Sequence, residues 1–175
     1  RDTDLVSINW FRAAAVFNII SSFGTFYLAY MMATKNIIQD LYLSSIYYFL
    51  HFQYNGWFFF ACMGLFFGFL KLKKSDNPFY DTSFKLFAIA CIPAYFLSIL
   101  WLKTPIWIYI ITVIAAIIQV FAWFKLVFII AKEQKVLLKN LVPILRYILV
   151  FVSLALSIKL ILQLGSTIPA LSQLA

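Results

Sequence analysis

Residues 47–60 read Y-Y-F-L-H-F-Q-Y-N-G-W-F-F-F and contain the chain's one histidine, His51, together with Gln53 and Asn55. They sit inside thirty residues, 41–70, that carry no formal charge. An imidazole can ligate a metal or pass a proton, and an ionisable group held away from water is costly enough that it faces an interior cavity. The plainer alternative is a satisfied structural pair, with His51 hydrogen-bonded to the asparagine one turn later. At about 100° per residue, Ser44, Tyr48, His51, Asn55 and Cys62 fall on one stripe of a helix, whereas Gln53 points the other way. Tyr48 and Asn55 are therefore candidates for a pocket or a proton or water path beside His51. Near Gln53, on the opposite side, Gly64 and Gly68 form a G-x-x-x-G pair that lets a second helix approach closely.

The elements that must position this cluster follow from composition. The chain has 175 residues, of which 65% are hydrophobic and 11% charged. A water-soluble core cannot hide that much apolar surface, so lipid is the solvent for most of these side chains. Five spans can be read: Ile8 to Met32, Leu41 to Leu70, Ser83 to Leu102, Pro105 to Ala131, and Leu141 to Gly165. They lack the period-2 alternation of a barrel, and backbone groups in lipid must be paired internally, so the expected fold class is all-α: a polytopic transmembrane helix bundle, a single domain over residues 1–175. Arg1 is not a methionine start, no signal-peptide pattern leads the chain, and I-P-A-L-S-Q-L-A at the other end reads as the start of a further helix, so a piece of a longer membrane protein is expected.

The net charge of +8 is distributed as a topology signal rather than a nucleic-acid patch, and no nucleic-acid partner is expected. Lys71, Lys73, Lys74 and Lys85 lie between spans two and three, Lys125, Lys132, Lys135 and Lys139 between spans four and five, and Arg1 and Arg12 lead span one. Only Lys35 and Lys103 occupy the loops of the other face. The positive-inside bias places the N-terminus in the cytoplasm and the protein in the cell's inner, cytoplasmic membrane. Within span five, Arg146 and Lys159 either snorkel to the two surfaces or take part in a buried ion pair or relay, although no span contains a carboxylate to pair with.

The remaining features read as packing. Cys62 and Cys91 are small apolar-segment residues, and Asn18, Ser22 and Thr25, like Thr112, Ala116 and Gln119, form small polar faces of the kind that join helices. Pro93 is placed to kink span three, Asp76-Asn77-Pro78 is a turn, and Trp10, Tyr30, Tyr42, Trp101 and Trp107 read as interfacial anchors. No P-loop, Rossmann glycine pattern, H-E-x-x-H, C-x-x-C or nucleophile elbow is present.

H-F-Q-Y-N-G-W-F resembles the sixth-helix motif of the heme-copper oxidase superfamily, the cytochrome oxidase and nitric oxide reductase large subunits. There a metal-binding histidine opens H-P-E-V-Y or, in the reductases, precedes Glu-Gly by four residues. I-I-Q-V-F-A-W, residues 117–123, resembles the G-V-K-V-F-S-W of the eighth helix, with Gln119 in the place of a proton-path lysine. The resemblance implies that spans one to five are the fifth to ninth helices of a longer respiratory-chain subunit, that His51 is a metal ligand or haem-pocket residue, and that Asn55 and Gln119 line its pocket or water path. It also implies haem or a non-haem metal in the full-length protein, with none assigned to this segment, because the end of span three reads S-I-L-W-L-K-T-P where the family has adjacent histidines. One histidine is too few for a three-histidine site. The alternative is a non-redox membrane protein, a transporter half or a structural or assembly subunit. Expected partners are the lipid bilayer and either the remaining helices of a longer chain or other membrane subunits.

Overall fold

A computed structural model describes residues 5–102 and 104–168. Helix α1 spans Val6–Thr34, α2 Gln39–His51, α3 Phe59–Leu70, α4 Pro78–Ala94, α5 Ile106–Glu133, α6 Lys135–Asn140 and α7 Pro143–Gly165. A π-helical segment, Phe52–Phe58, joins α2 to α3 without a break, and a 3-10 turn, Tyr95–Ile99, continues α4. Among the described residues there is no strand, only an isolated bridge between Leu5 and Lys73, so the all-α bundle expected from composition is what forms.

Four helical units, Val6–Thr34, Pro78–Ile99, Ile106–Glu133 and Pro143–Gly165, are long and apolar enough to cross a membrane. The segment expected as span two is instead a composite rod, α2 plus the π-helical segment plus α3. Connections are short, so consecutive units run antiparallel. One end of the bundle gathers the start of α1, the α3–α4 loop and the α5–α7 connection; Val6 N–H bonds the Leu72 carbonyl there. At the other end Tyr109 O–H donates to the Thr167 carbonyl. Lys71, Lys73, Lys74, Lys132, Lys135 and Lys139 belong to the first end and Lys35 to the second; Arg1 and Lys103, used in the charge count, lie outside the described residues, as does most of the I-P-A-L-S-Q-L-A segment.

The core is aromatic. Trp10 is fully buried, with ring centroids of Phe60, Phe67 and Phe84 at 5.1, 5.4 and 5.6 Å. Its interior place corrects the reading of Trp10 as an interfacial anchor: Trp10 is one turn into α1, but α3 and α4 close over it. Trp101 and Trp107 do stand exposed near helix ends.

Helix α1 and the composite rod touch along their length through small residues. A Cβ on Gly24 would lie 2.7 Å from the Ser45 carbonyl oxygen, and one on Gly56 would lie 2.7 Å from Phe17 Cβ. A Cβ on Gly64 would lie 2.9 Å from the Phe11 ring, whereas one on Gly68 would have room, with Ser7 Cβ 3.8 Å away. Dispersion and close backbone approach replace the hydrophobic effect as the force between helices in lipid, so these positions hold the rod where His51 needs it.

The turn at Asp76-Asn77-Pro78 does more than reverse the chain. Asn77 caps α4 by accepting from Phe79 N–H at 2.8 Å, and its amide donates to Glu133 at 2.6 Å. Tyr80 O–H donates to the other oxygen of Glu133, also at 2.6 Å, tying the start of α4 to the end of α5.

Candidate functional site

Proline at position 93 prepares the site. It cannot donate a backbone N–H, and the helix tightens just beyond it into the 3-10 turn. Pro93 itself leaves the Ile89 carbonyl without its helical donor; in the 3-10 turn that follows, Tyr95 N–H bonds the Ile92 carbonyl rather than that of Cys91, which a continued α-helix would have engaged. A carbonyl released in lipid must find another donor. His51, buried on the composite rod, supplies it: Nε2 lies 2.9 Å from the Cys91 oxygen.

This contact fixes the chemistry of the ring. A carbonyl only accepts, so Nε2 carries the proton and Nδ1 presents its lone pair. That lone pair accepts from Asn55 Nδ2 at 3.2 Å. His51 is thus a neutral imidazole with both nitrogens engaged, wedged edge-on against Phe52 and Tyr95.

Beyond Asn55 the polar run continues onto α7 and α5. Lys159 Nζ donates to Asn55 Oδ1 and to Gln163 Oε1, each at 2.8 Å. Gln163 Nε2 donates to Gln119 Oε1, also at 2.8 Å. Every bond points away from the ammonium group. One branch runs from Lys159 through Asn55 and His51 to the Cys91 carbonyl, the other through Gln163 to Gln119. The arrangement is an oriented polar seam joining α7 to the rod, α4 and α5.

The other residues singled out in the sequence are placed as follows. Tyr48 packs edge-on against Phe52 and Tyr95, with centroids 4.7 and 5.3 Å away, beside His51 but outside the hydrogen-bonded run. Ser44 offers its backbone carbonyl to Tyr95 O–H at 3.1 Å. Gln53 points away from His51, as its position on the helix requires, and accepts from Ser21 on α1 at 2.8 Å. Cys62 lines a cleft between α3, α5 and α7, the helix that Asn55 also meets through Lys159. Gln119 is buried and reaches His51 only through Gln163, Lys159 and Asn55.

No family model, curated protein or solved structure matches this chain. The test of a metal centre therefore falls on the residues themselves. Binding at His51 needs the Nδ1 lone pair, which Asn55 occupies, or loss of the proton held against Cys91. Cys91 Sγ, the thiol beside the ring, lies 4.0 Å from Nε2. Among the described residues no group of three or more His, Cys, Asp or Glu side chains is placed to hold a metal. As arranged, the donor set among the described residues does not fit a metal ion.

Two features of the seam were not legible as such in the sequence. Lys159 does not reach only for the surface; it turns onto Asn55, a residue more than a hundred positions earlier. Gln163 stands four residues after Lys159, a spacing that places two helical side chains together and was the available signal.

Proposed function

We propose that this chain is a non-redox subunit of a multi-pass membrane assembly, with the Lys159–Asn55–His51 seam acting as the internal register of the bundle. The observation that carries this reading is the state of α7. It is long and apolar enough to cross a membrane, yet Leu160 is its one buried residue, and it packs mainly on α5. A helix that buries so little of itself while carrying two cations and Gln163 is suited to further helix contacts as well as to lipid. The charge distribution supports a cytoplasmic location for the lysine-rich end, which holds the start of α1, and a cytoplasmic-membrane location for the protein.

The test is to extract the whole protein from its native membrane in mild detergent and record native mass, metal content and reduced-minus-oxidised absorption. The expected result is a complex heavier than the chain, with no haem band and no stoichiometric copper or iron. A haem spectrum, or a chain that always runs as a monomer, overturns the reading.

The kinship to heme-copper oxidases is the second reading. What favours it is that His51 and Gln119, the two residues on which the resemblance rests, lie on one hydrogen-bonded run between the helices that would be the sixth and eighth. It requires Asn55 to release His51 in the full-length protein, and the same spectra decide it.

A further inference from the structure

We propose that Lys159 is a recognition point for a transmembrane helix of another subunit that carries an aspartate or glutamate at the same depth. The inference rests on the assembly reading and names the chemistry of the partner.

Lys159 has three N–H donors and uses two, both on neutral amide oxygens. Among the described residues it has no carboxylate partner. It nonetheless lies inside the membrane-spanning helix, six positions before its last residue, Gly165, or about 9 Å along the axis. A cation at that depth, solvated by two amides, is stabilised incompletely, and a carboxylate supplies both the counter-charge and an acceptor for the third donor.

The surface around it suits a helix better than a small solute. Lys159 is exposed at the surface of the bundle, and Val152, Ala155 and Leu162, which share its helical stripe, are exposed as well. Ala155 is small and one turn away, which permits close backbone approach.

No carboxylate among the described residues of a second copy completes the site. Asp40 and Asp81 stand in first turns of helices, Glu133 is the last residue of α5, and Asp76 is in a loop, none of them at the depth of Lys159. Two copies meeting through this face would also oppose Lys159 to Lys159. Charge complementarity therefore selects a different helix.

The test uses the full chain in lipid vesicles with a synthetic leucine-alanine transmembrane helix as probe. The probe carries one aspartate at a depth matched to Lys159, with asparagine and leucine versions for comparison, and association is read by energy transfer. The aspartate probe is expected to bind at least about tenfold more tightly than the leucine probe, with asparagine between them. Lys159→Gln, which can still donate to Asn55, should abolish the preference, and Lys159→Asp should transfer it to a lysine-bearing probe. Equal binding of the aspartate and leucine probes, or a preference unchanged by Lys159→Gln, overturns the proposal. A haem spectrum from native membranes would remove the assembly reading by a separate route, so the two failures are distinguishable.

Discussion

The Nε2 of His51 lies 2.9 Å from the backbone carbonyl of Cys91, the group that the 3-10 turn beyond Pro93 withdraws from its own helix. Two breaks in regular α-geometry, the π-helical segment after His51 and the tightened turn after Ala94, face each other across this one bond. Each exposes backbone groups or shifts side chains in a way a straight helix would not. A membrane interior tolerates such irregularity only where the released groups find partners.

Replacing His51 by alanine leaves the Cys91 carbonyl and the Asn55 amide without that partner. The expected loss is about 1–3 kcal/mol of stability, read as a fall in the thermal midpoint in detergent with the visible absorption unchanged. Nitrogen-15 spectra of the native ring should show a single neutral tautomer protonated at Nε2. A proton at Nδ1 contradicts the hydrogen-bond assignment.

Pro93→Ala restores an N–H to α4 and allows the helix to continue. Tyr95 N–H then competes for the Cys91 carbonyl, so the His51 bond should weaken, seen as an upfield move of the Nε2-bound proton. The contact between Tyr95 and Ser44 depends on the same turn and should loosen with it.

Gly24→Ala and Gly56→Ala each place a methyl group 2.7 Å from an atom that cannot swing aside, a backbone oxygen in one case and a Cβ in the other. Overpacking of this kind costs about 1–3 kcal/mol. Gly68→Ala meets only Ser7 at 3.8 Å and should be tolerated. Midpoints measured for the three variants should separate in that order; a Gly68→Ala variant as damaged as Gly24→Ala would refute the packing described for α1.

At the lysine-rich end, Tyr80→Phe removes the hydroxyl that donates to Glu133 at 2.6 Å. A hydrogen bond to a charged acceptor contributes about 1.5–3 kcal/mol. Combining Tyr80→Phe with Glu133→Gln should therefore cost less than the two single changes added together, and a fully additive cycle in thermal stability would show that the pair does not interact.

Much of the architecture was legible because its cause is local. Runs of apolar residues about twenty long, separated by lysines and turns, place the helical segments to within a few residues, since lipid leaves the backbone no other way to pair. The opposite orientations of His51 and Gln53 follow from helical periodicity alone, and so does the pairing of His51 with Asn55, one turn apart on the same rod.

The π-helical segment was not legible, because such a turn depends on what packs against Phe52–Phe58. Nor was the burial of Trp10, which α3 and α4 decide by closing over it. The sequence by itself determined an all-α chain with helices fit to cross a membrane, basic at one end, with an imidazole and an amide on one face. Only the tertiary structure decided that Asn55, Lys159, Gln163 and Gln119 meet, because hydrogen-bond partners in lipid are chosen by which helices touch, and spacing along the chain carries no record of a contact between α7 and a residue of the rod more than a hundred positions upstream.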